Sequence, residues 1–149
     1  MKSRISLYTG LVLLLIALGG IWFFTRGKTQ TPSHIFPAAV NRDCAPWDGS
    51  AFTVSMPLRD GSDIAISIYR SPNIPFPTRY LFPDETMREG HALLLLPVGS
   101  PEALTGEVWL QRVDQGIPVE GRFRLRSEAG KQYEGRFVAE WGNEIVYCG

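Results

Sequence analysis

From Cys44 to the C-terminus, apolar and polar residues alternate with period two, the spacing of strands that bury one face. In "AFTVSM", Phe52, Val54 and Met56 share a face; in "SDIAISIY", Ile64, Ile66 and Ile68 do. Asp60-Gly61 between them is a hairpin turn signal. "HALLLLPV" interrupts the alternation with a continuous apolar run, short enough to predict a strand buried on both faces. A regular series follows: "ALTGEVWLQRV", "IPVEGRFRLR", "KQYEGRFVAEW" and "EIVYC", separated by the turns "DQG", "SEAG" and "GN". Short strands joined by Gly-containing turns predict an antiparallel meander. No stretch here has a convincing helical period, although "PDETMREGH" has room for one helical turn.

The tetrapeptide Glu-Gly-Arg-Phe occurs twice, at Glu120–Phe123 and Glu134–Phe137. Alternation puts Val119, Gly121, Phe123 and Leu125 on one face, facing Tyr133, Gly135, Phe137 and Ala139. Glu120, Arg122, Arg124, Glu134, Arg136 and Glu140 take the wet face. The repeat therefore reads as one sheet pattern written twice, not as a binding motif. Two registers compete. A loop Glu128-Ala129-Gly130 pairs Gly121 with Phe137 and Phe123 with Gly135, so that each ring covers a glycine. It also sets Arg122 against Arg136, at a cost of a few tenths of a kcal/mol. A shift by two residues suits the charges but puts Gly130 inside a strand. The first register is favoured, because arginine side chains reach diagonal partners. Mid-strand glycines, Gly106 among them, predict bulges or strong coiling. The expected domain, residues 44–149, is all-β: an antiparallel β-sandwich or small barrel of about seven to eight strands.

"SPNIPFPTRYLFP" contains four prolines and is excluded as a central strand. It predicts an extended, partly exposed segment of polyproline character. Its rings Phe76, Tyr80 and Phe82 are candidate partner contacts. Trp109 joins them as a candidate with two readings: it lies on the face opposite Val108 and Leu110, where it is open to a sugar or a protein, but core packing is the commoner place for so large a ring and is the favoured reading. Trp141 continues the face of Phe137 and is expected in the core.

The N-terminal part has a different pattern. Leu7–Phe24, "LYTGLVLLLIALGGIWFF", is an uncharged apolar run. As a helix it is about 27 Å long, against a hydrocarbon core of about 30 Å. It predicts one N-terminal transmembrane helix at 7–24, after a cytoplasmic segment 1–6. Ala17-Leu18-Gly19 is a passable cleavage site, but the greasy "IWFF" that follows favours an uncleaved signal anchor. Gly19 and Gly20 would let another helix approach closely, and Trp22 sits where aromatic belts form. These three are candidate helix-packing residues. Residues 25–43 have no period and two prolines, and read as a linker of at most about 60 Å. Its apolar stretch "SHIFPAAV" is expected to pack on the domain or on a neighbour.

The charges cancel over the chain but not locally. Residues 1–43 carry five cations against one carboxylate, a net of +4, and residues 44–149 carry ten against fourteen, a net of −4. A mildly acidic domain has no electrostatic footprint for nucleic acid. Flanking cations leave orientation nearly tied by the positive-inside rule. The cysteines break the tie. Cys44 and Cys148 are the only two and sit at the borders of the β region, which predicts a disulfide and an oxidising compartment. The N-terminus is then cytoplasmic and the domain outside. With the short export-type start "MKSR", this reads as a bacterial inner-membrane protein with a periplasmic or extracellular domain.

Catalytic chemistry has little to work with. The two histidines are His34, in the linker, and His91, at the start of the apolar strand. No HExxH, GxSxG or glycine-rich phosphate loop is present. "RDGSD" is explained by the hairpin turn and offers too few oxygens for calcium. His91 beside Asp84 or Glu85 is the weak enzymatic alternative. No metal or cofactor is expected. The expectation is a non-enzymatic accessory subunit, with integral-membrane subunits and the lipid bilayer as partners. The alternative is a membrane-tethered binding module for a lipid or glycan, which predicts a buried pocket above about 300 Å³.

Overall fold

The computed structural model describes residues 34–149 except Phe76, Asp84, Glu85, Met87, Asn143, Glu144 and Gly149. These residues form nine strands: β1 Ile35–Cys44, β2 Ser50–Pro57, β3 Asp63–Ile68, β4 Thr78–Phe82, β5 Gly90–Leu95, β6 Glu102–Ala103, β7 Thr105–Leu110, β8 Val119–Arg126 and β9 Gln132–Trp141. All belong to one sheet of order β4-β7-β8-β9-β1-β2-β3-β5-β6. The all-β expectation holds. The architecture is one sheet curled into a half-barrel, with β4 and β6 left as edges, in place of a sandwich or closed barrel. Among the described residues no helix is long and apolar enough to cross a membrane, and the 7–24 run lies outside them.

The sheet is mixed rather than antiparallel. β1 runs parallel to β9, from Ile35 opposite Arg136 to Val40 opposite Trp141. Residues Ile35–Asp43, read as linker, are therefore part of the domain. Phe36 and Ala38 pack against the core and Val40 is fully buried, so the period-two pattern was present. It was obscured by Pro37, which cannot donate to a ladder, and by a parallel partner with no local turn to announce it. β1 fills the space between β9 and β2, which leaves no neighbouring edge for "EIVYC". Residues 145–148, expected as a strand, accordingly carry none.

The concave face holds the core. Phe52, Met56, Ile64, Ile66 and Ile68 from β2 and β3 meet Tyr80, Val108, Leu110, Phe123 and Phe137 from the other half. Burying one such side chain stabilises the fold by roughly 1.5–3 kcal/mol. β5 buries Gly90, Ala92 and Leu94, while Leu95 and Leu96 are 37% and 40% exposed. The run "ALLLL" thus has one buried face, not two.

The β8–β9 register is the favoured one, with Gly121 opposite Phe137, Arg122 opposite Arg136 and Phe123 opposite Gly135. A Cβ on Gly121 would meet Phe137 Cζ at 2.4 Å, so that ring does cover its glycine. Gly135 is covered by Phe36 of β1 instead of Phe123, with Phe36 Cε2 at 2.4 Å from a Cβ placed there. The turns at Leu58–Ser62 and Ser127–Lys131 share one hydrogen-bond pattern, and Gly61 and Gly130 supply the left-handed residue at φ 80° and 85°. Lys131 Nζ reaches Asp60 Oδ2 at 3.3 Å, tying the two tips together.

The proline-rich segment crosses from β3 to β4 on the opposite edge of the sheet. Ile74 anchors it by exchanging backbone hydrogen bonds with Val113, at 2.9 and 3.1 Å. β4 is an edge strand, as its flanking prolines require.

Candidate functional site

Outward positions on β4, β7, β8 and β9 fall one residue off the buried ones, so register alone assembles them into rows. One row runs Arg79–Trp109–Arg122–Arg136, each directly opposite the next. The Trp109 ring is clasped by two guanidinium groups, with Arg79 Cζ at 5.4 Å and Arg122 Cζ at 4.4 Å from its centroid. Each such contact contributes about 0.5–1 kcal/mol at an exposed position. Among the described residues, Arg122 and Arg136 have no ion-pair partner. The next row, Leu81–Glu107–Arg124–Glu134, has two carboxylates to one guanidinium and is neutralised with help from Arg79 of the first row. Arg124 lies 3.1 Å from Glu134 and 3.7 Å from Glu107, and Glu107 also pairs with Arg79. Hydrogen bonding to Glu134 holds the Arg124 pKa above its ordinary value. An open groove of about 440 Å³ follows this second row, floored by Leu81 and Gly106.

The other half of the outer face carries a row of different chemistry, Asn41–Thr53–Ser67–His91, on β1, β2, β3 and β5. Thr53 Oγ1 donates to Asp43 Oδ2 at 2.8 Å and lies 2.8 Å from Ser67 Oγ. Ser67 is buried, and this contact satisfies it. His91 Nδ1 lies 2.6 Å from the Tyr69 hydroxyl. Burial pushes the His91 pKa below 6.5, and the Asp43 charge opposes that shift. Burial, reinforced by Asp43, pushes the Tyr69 phenol up.

The residues singled out from the sequence do not converge on one place. Cys44 and Cys148 form the expected disulfide, which ties the end of β1 to the C-terminal tail. Trp109 points outward at the centre of the arginine row. Tyr80 and Phe82, expected as partner contacts, are 1% and 4% exposed and belong to the core. Their flanking prolines suggested an open loop, but Thr78–Phe82 pairs with β7 and alternation turns both rings inward. Among the described residues the buried Tyr80 hydroxyl has no partner at hydrogen-bond geometry, and burial pushes its pKa up against the nearby Arg70 charge. Phe76, Gly19, Gly20 and Trp22 lie outside the described residues, as do Asp84 and Glu85. Trp141 packs against the core and donates its indole N–H to the carbonyls of Asp114 and Ile117, at 2.9 Å each.

Sequence reasoning missed Asp43, Thr53, Ser67 and Tyr69. Alternation places Ser67, in β3, and Tyr69, just after it, on one side of the chain, but their meeting with His91 depends on the β3–β5 register, which no turn signal announces. Among the described residues, no three His, Cys, Asp or Glu side chains converge to hold a metal ion. A further groove of about 560 Å³ opens at the hairpin tips beside Phe36, Leu58 and Tyr133. No protein-family model, curated protein or solved structure matches the chain.

Proposed function

We propose that this chain is a non-enzymatic accessory subunit of a larger inner-membrane protein complex. The 7–24 segment anchors it, and the β domain docks outside the cytoplasm on an integral-membrane partner. The observation that carries this reading is the row Arg79–Trp109–Arg122–Arg136. Tryptophan and arginine dominate binding energy at protein interfaces. The residues from 44 onward sum to −4, so a row with three guanidinium groups and no carboxylate runs against the average field. It suits a partner segment bearing carboxylates. β4, which among the described residues pairs with β7 and ends the strand order, lies beside this row as an edge for such a segment. The Cys44–Cys148 disulfide supports an oxidising compartment. Anchoring in the same bilayer raises the effective concentration of partner and domain, so a modest interface suffices.

The test is purification of tagged full-length chain from its native membrane in mild detergent, beside a Trp109→Ala variant. The wild type is expected to bring stoichiometric integral-membrane companions. The variant should lose most of them, as expected for a hot spot of about 2 kcal/mol or more. A wild-type chain that emerges alone would overturn the reading.

A further inference from the structure

The turn between β1 and β2 presents an aromatic side chain in a way the docking row does not explain. Trp47 is 53% exposed, yet four features fix its position. Its turn is closed by Asp48 N–H to Ala45 O at 3.0 Å and Ala45 N–H to Gly49 O at 2.8 Å. Asp48 takes the left-handed conformation, φ 61°. The indole lies over Gly49, where a Cβ would meet Nε1 at 2.8 Å. The disulfide at Cys44 holds the base of the turn. An exposed ring of this size is commonly mobile; this one is built in place.

Polar groups of complementary kind stand beside it. The Tyr69 ring meets Trp47 edge-on, centroids 5.3 Å apart and planes at 80°. Tyr69 in turn touches His91, with ring centroids 5.5 Å apart and its hydroxyl on Nδ1. That bond leaves His91 Nε2 without a partner among the described residues. The Asp43 carboxylate accepts from Cys44 N–H and Thr53 Oγ1, at 2.8 Å each, and is otherwise exposed. A carboxylate has about four acceptor sites, so capacity remains. Hydroxyl groups give and take hydrogen bonds at once, and a carboxylate with an imidazole nitrogen answers both needs.

We infer that Trp47, Tyr69, His91 and Asp43 form a carbohydrate-binding site, in which the Trp47 ring stacks on the C–H face of a pyranose while Asp43 and His91 take its hydroxyl groups. A proline-rich peptide is the other usual occupant of exposed aromatic rings. It needs roughly parallel ridges that form a slot, and rings at 80° make none. A single exposed ring face with a polar margin matches a sugar, whose two faces are apolar and whose rim is polar. This site uses β1, β2, β3 and β5 and stands or falls independently of the docking row.

The experiment is isothermal titration of the full-length chain, held in a detergent without a sugar headgroup, with chitotetraose, cellotetraose and maltotetraose. At least one is expected to saturate the wild type. Trp47→Ala should weaken that binding about tenfold or more, and Trp47→Phe should keep most of it. Gly49→Ala, which displaces the indole, and His91→Ala should each weaken it several-fold. The thermal midpoint of each variant, read in the same samples, separates lost binding from lost fold. No saturation of the wild type by any of the three sugars up to about 10 mM would overturn the inference. So would binding that Trp47→Ala and His91→Ala leave unchanged, or saturation by a proline-rich peptide in place of the sugars.

Discussion

Two rows cross the same outer face of the same sheet, and they solve the exposure of polar groups in opposite ways. Arg79–Trp109–Arg122–Arg136 is made of long side chains that reach water, stack on the indole or, for Arg79, pair with Glu107 of the next row. Asn41–Thr53–Ser67–His91 is made mostly of short ones, which must be satisfied by the neighbouring strand. In the first row each contact is worth little and can be exchanged for a partner's. In the second, Ser67 is buried and bonded to Thr53, so its loss is felt by the fold. The difference separates a row of exchangeable contacts from one whose centre, Thr53 and Ser67, is committed to holding strands together, with His91 left at its end.

The largest effect should come from the disulfide that pins the second row's margin. Cys44 and Cys148 are 104 residues apart, and closing such a loop stabilises the fold by about 4–5 kcal/mol in the chain-entropy model. A Cys44→Ser, Cys148→Ser double variant should lose an amount of that order in denaturant titration. Hydrogen exchange should rise first in β1 and β2. Equal loosening of β7 and β8 would break the comparison.

A Gly121→Ala variant probes the seam between core and arginine row. The new Cβ would stand 2.4 Å from Phe137 Cζ and 2.8 Å from the Trp109 carbonyl oxygen, so the ring must move. Overpacking of this kind costs about 1–3 kcal/mol, read as a lower denaturation midpoint.

The rows themselves can be set against each other. Ser67→Ala leaves Thr53 with one fewer partner in a part-buried position and should cost about 1 kcal/mol. Arg124→Ala removes an exposed guanidinium from Glu134 and Glu107 and should barely move the denaturation midpoint, well below the effect of Ser67→Ala. Equal costs would erase the distinction.

How much of this was legible in the sequence follows from which contacts are local. The β2–β3 and β8–β9 hairpins were, because Asp60-Gly61 and Ala129-Gly130 set their turns, and the Phe137–Gly121 match chose the register. β1 was not, since its parallel partner lies about a hundred residues away and Pro37 breaks its pattern. Tyr80 and Phe82 were misplaced because proline content speaks of loops, whereas pairing with β7 turns both rings inward. Trp109 was left between core and surface, because alternation set it opposite Val108 and Leu110 while its size argued for the core. Its clasp by Arg79 and Arg122 rests on pairings across two further strands, which alternation cannot supply.

The smallest effect is a pH dependence confined to the second row. Burial, against the Asp43 charge, holds the His91 pKa below 6.5 in the folded chain. The unfolded chain therefore takes up this proton first. The stability contributed is complete above pH 6.5 and is lost as pH falls through 6.5 toward the folded value. His91→Gln should flatten that part of the stability profile, while Arg122→Gln should leave it unchanged.

The most direct test of the docking claim places a photoreactive phenylalanine analogue at Trp109 and, in a second variant, at Leu96, which is 40% exposed on the other half of the sheet. Both are irradiated in the native membrane. The account predicts a defined cross-link to an integral-membrane protein from position 109 and none from position 96. A cross-link from 96 alone, or none from 109, would contradict it.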